Sequence, residues 1–174
     1  MVPVMSSDCW NDAQLVTGSL DQDRVAELER FVRAGGAVLV AAEPDDRCGE
    51  ALTGVGVVAD LPRTEWFVTL ADSPAAARLD SETAVTSQLR TLRPNDAGIT
   101  IAATTSVRFE HQPTIAVRAL GQGRIVVSGI TDLRALVAHP TLGPFVGRLL
   151  HPVASTRTTD LGVTWEAIAG NLPE

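Results

Sequence analysis

Apolar and polar positions along this chain follow two rhythms, and the change from one to the other marks its elements. In "SLDQDRVAELERFVRAGG", residues 19–36, Val25, Leu28, Phe31 and Val32 recur at helical spacing and share one face. Ser19 with Gln22 three residues on has the form of a capping box, and acidic residues fill the first turn, where the helix dipole favours them. Gly35 and Gly36 supply the left-handed stop. "AVLVAAE" follows as an unbroken apolar run, the pattern of a strand covered on both faces. "VPVMSS", residues 2–7, reads as a similar short strand before the helix. Strand, helix and strand in this order predict a βαβ unit, whose two strands lie parallel.

Further on, "GEALTGVGVV" predicts a short helix ending near Gly54 and a weak strand from Val55, and "EWFVTL" predicts another strand. Residues 71–98, rich in Ala, Asp, Ser and Pro, read as turns with short helical or extended pieces. "GITIAATT" is a strand by pattern. "TIAVRALGQGRIVVSGI" holds two β-rich runs joined by Gly121-Gln122-Gly123, a hairpin signal. "TDLRALVAH" and "TLGPFVGRLLH" predict short helices, with Thr131 or Asp132 and Thr141 as caps. The chain contains no internal repeat. The expected architecture is a three-layer, flavodoxin-like α/β domain over residues 1–152, its sheet mostly parallel with a late β-hairpin, followed by a polar tail over 153–174.

Composition narrows the chemistry. A chain of 174 residues with 45% apolar content suits one domain with a proper core. The net charge of −7 disfavours nucleic acid and anionic membranes as partners. All 14 basic residues are Arg, so Schiff-base catalysis and a Walker-type phosphate loop, which need Lys, are excluded. Cys9 and Cys48 make neither a disulfide framework nor a zinc site. No apolar stretch approaches the ~18 residues of a membrane span, and the N-terminus lacks the pattern of a secretory leader. A cytoplasmic chain is expected, with no cofactor implied.

"RVAELERFVRAGGAVLVAAE" resembles the helix, GG and apolar-strand segment of the class I glutamine-amidotransferase-like superfamily. "PTIAVRALGQGRIVVSGITDL" resembles the hairpin that leads into that domain's last core strand. The likeness covers roughly residues 2–150, includes "ALTGVGVV", and is strongest to the ThuA-like and GldG-like branches. It implies the fold named above and, for the ThuA-like branch, a role with carbohydrate. The family places a strand and helix before the strand matched to "VPVMSS", so the chain reads as N-terminally shortened. Its catalytic members carry Cys in a G-x-C-x-G elbow with His and Glu later. Here Asp8 and Trp10 flank Cys9. An elbow needs small neighbours, and Asp8 disfavours a thiolate. No residue is assigned a catalytic role.

In open α/β sheets ligands bind beyond the carboxyl ends of the strands. Asp8, Trp10 and Asn11 follow the expected first strand, Glu43 and Asp45 the second, and Asp132 the last. These six are the candidate ligand-binding residues, forming an acidic pocket for a sugar or a cation. The alternative is that such Asp and Asn residues serve turns and caps. His111, His139 and His151 show no i, i+4 spacing and lie beside prolines, so no metal is expected of them. Gly121-Gln122-Gly123 joins two strands and is not a dinucleotide fingerprint. In the tail, Thr158, Asp160, Gly162, Thr164 and Trp165 match a single Asp-box, too few to build a propeller. Together these features predict a non-catalytic ligand-binding or protein-interaction domain, with a small-molecule, carbohydrate or protein partner, or a further domain covering a sheet edge. The competing expectations are a ThuA-like carbohydrate-active protein using the acidic crevice, or a fragment of a larger protein.

Overall fold

In the computed structural model, which describes residues 13–151, helix α1 (Gln22–Arg33) connects two parallel strands, β1 (Ala13–Val16) and β2 (Ala37–Ala41). Leu28 and Val32 are fully buried, with Val25 and Phe31 packed beside them, the four positions that the helical spacing picks out. One local expectation lies outside the described residues and one is corrected. The strand entering α1 is Ala13–Val16, whereas residues 2–7 lie outside the described residues. The N-cap is Asp21, whose carboxylate accepts the Arg24 N–H at 2.8 Å. A Ser19 cap would start the helix two residues too early.

The rest of the chain runs through α2 (Arg47–Thr53), β3 (Val55–Leu70), β4 (Glu82–Pro94), β5 (Ile99–Val107), β6 (Glu110–Leu120), β7 (Gly123–Ser128), α3 (Leu133–Ala138) and α4 (Leu142–Leu150). The seven strands form one sheet in the order β1-β2-β7-β6-β5-β3-β4. Only β1–β2 and β2–β7 are parallel; the other four pairings are antiparallel. The expected mostly parallel, flavodoxin-like sheet is therefore incorrect. Parallel neighbours need a crossover of a dozen or more residues. Between β3 and β7 the described chain offers only a 3-10 turn (Pro74–Ala76) and short connections, so β3–β4, β5–β6 and β6–β7 pair antiparallel as chain neighbours, and β3 also pairs antiparallel with β5. The weak strand from Val55 and the strand at "EWFVTL" are one strand of 16 residues, interrupted by register shifts at Val57/Ala59 and Leu61/Thr64. Pro62 falls in the second shift, where it breaks no ladder bond. The stretch 71–98, expected as turns with short helical or extended pieces, holds the 3-10 turn and a far longer strand, the 13-residue β4.

Helices cover both faces, because alternate residues of the central strands point opposite ways. Leu39, Val126 and Ile115 pack with Leu133, Leu136, Phe145 and Val146 of α3 and α4. Val38, Val40, Ile125 and Val127 pack with Leu28 and Val32 of α1 and Leu52 of α2. The β6–β7 hairpin appears where the glycines place it, with Gly121 at φ +60°. Its turn also presses on the end of α1. The Gln122 N–H donates to the Arg33 carbonyl at 3.2 Å and the Arg124 N–H to the Gly36 carbonyl at 3.2 Å. A Cβ on Gly123 would overlap the carbonyl oxygens of Gly36 and Val32, both backbone atoms that cannot swing away.

Gly123→Ala is therefore expected to cost at least about 2 kcal/mol of stability, read as a lower urea midpoint at an unchanged slope. An unchanged midpoint would mean that the hairpin does not seat on α1.

Candidate functional site

The loops that leave β1, β2 and β7 at their carboxyl ends define where a ligand would sit in an open α/β sheet. After β2, Glu43 is half-buried and Asp45 is exposed with φ +61°, a conformation that Asp tolerates better than most residues. Asp46 caps α2 by accepting the Gly49 N–H at 3.0 Å, and its other oxygen accepts the Leu20 N–H at 3.1 Å. That one carboxylate ties the loop after β1 to the loop after β2. After β7, Ser128 turns the chain by accepting the Ile130 N–H and donating to the Ile130 carbonyl, both at 3.0 Å. Asp132 is exposed and accepts the Ala135 N–H at 3.1 Å as the N-cap of α3. Both Asp46 and Asp132 have an assignment in the chain's own architecture.

The mouth of this crevice is occupied by β4. The Arg90 N–H donates to the Gly129 carbonyl at 2.7 Å, Leu89 bridges Ile130, and the Gly129 N–H donates to the Thr114 carbonyl at 2.7 Å. A Cβ on Gly129 would overlap the Arg90 carbonyl oxygen. From this crossing the Arg90 side chain reaches the loop after β2. Its Nη1 donates to the Ala42 carbonyl at 2.6 Å and lies 3.3 Å from Glu43 Oε2, while its Nε lies 3.4 Å from Asp60 Oδ1. Gln88 Nε2 donates to the same Asp60 oxygen at 2.7 Å. The Arg90 side chain is only 12% exposed. Its carboxylate partners are more open, Glu43 at 28% and Asp60 at 42% side-chain exposure, so solvent screens both pairs from that side.

Of the six expected ligand-binding residues, Asp8, Trp10 and Asn11 lie outside the described residues, as does Cys9. The loop that follows the first described parallel strand is 17–21. Glu43 and Asp45 share the loop after β2, where Glu43 faces Arg90, and Asp132 caps α3 after β7. Arg90, Asp60 and Gln88 belong to the site and were not expected there. Their signal lies in "TAVTSQLRTL", where alternate positions Val85, Ser87, Leu89 and Thr91 are buried.

Of the three histidines, His139 has a clear local duty. His139 Nδ1 accepts the N–H groups of Thr141 and Leu142 at 3.1 and 3.2 Å, so it satisfies the start of α4 where Thr141, expected as the cap, makes no side-chain bond. Its Nε2 faces the Ala84 carbonyl at 2.9 Å, which sets the Nε2–H tautomer. His111 is exposed on β6 and His151 ends α4. Among the described residues no three His, Cys, Asp or Glu side chains converge to hold a metal ion. Cys48 is a free thiol in the first turn of α2. Among the described residues no helix is long and apolar enough to cross a membrane.

No protein-family model and no curated protein matches the chain. Solved structures match its fold. A ThuA-like protein from Bacteroides uniformis aligns over 82% of this chain and 69% of its own, with a TM-score of 0.61 at 11% identity. A cytoplasmic protein from Salmonella typhimurium LT2 aligns over 82% of this chain and 71% of its own, with a TM-score of 0.57 at 10% identity. A β-galactosidase from Rahnella sp. R3 aligns over 75% of this chain, with a TM-score of 0.56 at 13% identity, but this spans only 23% of that enzyme. The fold is thus similar to that of a ThuA-like protein and to one part of a larger glycosidase. At these identities the likeness concerns the fold alone.

Asp132 gives a clean separation of capping from ligand binding. Asp132→Ala should cost about 1 kcal/mol, and Asp132→Asn should leave stability nearly unchanged, because Asn caps as well as Asp. If thermal denaturation shows Asn as harmful as Ala, the charge at 132 serves something other than the helix.

Proposed function

We propose that this chain is a non-catalytic interaction domain of glutamine-amidotransferase-like, ThuA-like fold. One observation carries the reading: the crevice where such sheets bind small molecules is spanned by β4 and filled by the Arg90 guanidinium. An open acidic crevice would attract a cation or hydrogen-bond the hydroxyls of a sugar. Here Glu43 and Asp60 already face a positive charge, Asp46 and Asp132 hold helix starts, and Asp45 occupies a turn.

Two further features favour contact with another protein or domain. Strand β1 is one edge of the sheet among the described residues, with Leu15 exposed between partly buried Gln14 and buried Val16, and an open edge is a template for pairing. The match to about a quarter of a β-galactosidase is the proportion expected of a domain within a larger assembly. A cytoplasmic location belongs to the same proposal and is in keeping with the Salmonella neighbour's description.

The competing reading is a ThuA-like carbohydrate-active protein that uses Glu43 and Asp45. A thermal-shift screen of the full chain against mono- and disaccharides and divalent cations, with assays of aryl-glycoside hydrolysis, separates the two. The proposal expects no shift above about 1 °C and no turnover. A stabilisation of several degrees, corresponding to ligand well above its Kd, that disappears in Glu43→Gln would overturn it in favour of the carbohydrate reading.

A further inference from the structure

We propose that Arg90 is a latch: its guanidinium fills, from within the same chain, a cradle that recognises planar guanidinium cations, and its seating there holds β3 and β4 across the carboxyl ends of β2 and β7. The inference rests on the reading of the crevice as closed.

The cradle draws its acceptors from two separate parts of the fold. The Ala42 carbonyl and Glu43 Oε2 come from the loop after β2, separated from Arg90 by 48 and 47 residues. Asp60 comes from β3, where it is the cross-strand partner of Arg90. Nε and Nη1 are therefore used together, one toward each part. A guanidinium offers donors in a rigid planar fork, and an ammonium does not. Gln88 Nε2, on the same Asp60 oxygen, holds the carboxylate in place from the strand itself. A carbonyl and two carboxylates around a side chain this buried form a site matched in charge and shape to the group that fills it.

The latch bears on the part of the sheet where β3 and β4 extend past β5. Strand β3 pairs with β5 only through Val68, Thr69 and Leu70, so the preceding length of β3 with its partner β4 depends on other attachments. The Leu89–Ile130 bridge and the Arg90 N–H bond to Gly129 are two of these. The Arg90 side chain adds the one that reaches β2. With it gone, the Ala42 carbonyl, Glu43 and Asp60 would face a vacated space the size of a guanidinium.

Chemical rescue of the full chain tests this. Arg90→Ala is expected to lower the melting temperature by roughly 5–10 °C. Methylguanidinium chloride at ~50 mM should then raise it by about 2–4 °C over equimolar sodium chloride, as a weak ligand of the folded state does. Neither the wild type, whose cradle is full, nor Arg90→Ala with Glu43→Gln should gain. Arg90→Lys should melt well below the wild type. If Arg90→Ala does not fold, refolding it with methylguanidinium or with sodium chloride is the same comparison. Rescue by methylguanidinium alone supports the latch. No difference between the salts, an equal gain in the wild type, or full stability in Arg90→Lys overturns it. The ligand screen on the wild type judges the closed-crevice reading by itself, so a failed rescue with a silent screen overturns the latch and leaves that reading standing.

Discussion

Backbone meets backbone where β4 crosses the end of β7, and the rest of the molecule is arranged around that approach. Gly129 lies so close to the Arg90 carbonyl that any Cβ would overlap it. The absence of a side chain lets the Arg90 N–H reach the Gly129 carbonyl and the Gly129 N–H reach Thr114. These bonds satisfy groups that would otherwise be buried without partners, which is costly. Once β4 is fixed there, Arg90 is carried over the loop after β2. Its charge then dictates what Glu43 and Asp60 can do. Glu43 and Asp60 thereby face an internal cation.

The parallel half of the sheet was legible because its signals are strong and local. The α1 stripe of Val25, Leu28, Phe31 and Val32, the glycine stop and the apolar β2 all appear as the pattern implies. The same holds for the Gly121–Gly123 turn. That turn and the "RAGG" segment, noticed separately in the sequence, meet in space, since Gly123 packs on the carbonyls of Val32 and Gly36. Strand β1 was missed because it has only four residues, Gln14 among them, too few to show a clear alternation.

The antiparallel half was hidden for a different reason. The inward positions of β4 include Ser87 and Thr91 among Val85 and Leu89, so apolar alternation is diluted although the burial has period two. In β3 the two register shifts interrupt the alternation twice. Reading 71–98 as turns removed the partner strand and left a parallel sheet as the natural extension of the βαβ unit. The site suffered from the same omission. Glu43, Asp45 and Asp132 follow strand ends, but the cation that faces Glu43 is on β4. Resemblance to a ThuA-like protein and to part of a β-galactosidase is compatible with either a binding or a structural role, because a fold shared at 10–13% identity does not carry a site with it.

The central claim is that β4 closes the crevice, and native-state amide hydrogen exchange addresses it residue by residue. If the crossing is part of the folded core, the N–H groups of Arg90, Gly129 and Ile130 exchange as slowly as those of β7, through global unfolding. Exchange at those three amides as fast as in the exposed β5–β6 turn, while β7 stays protected, would show an open crevice and contradict the account.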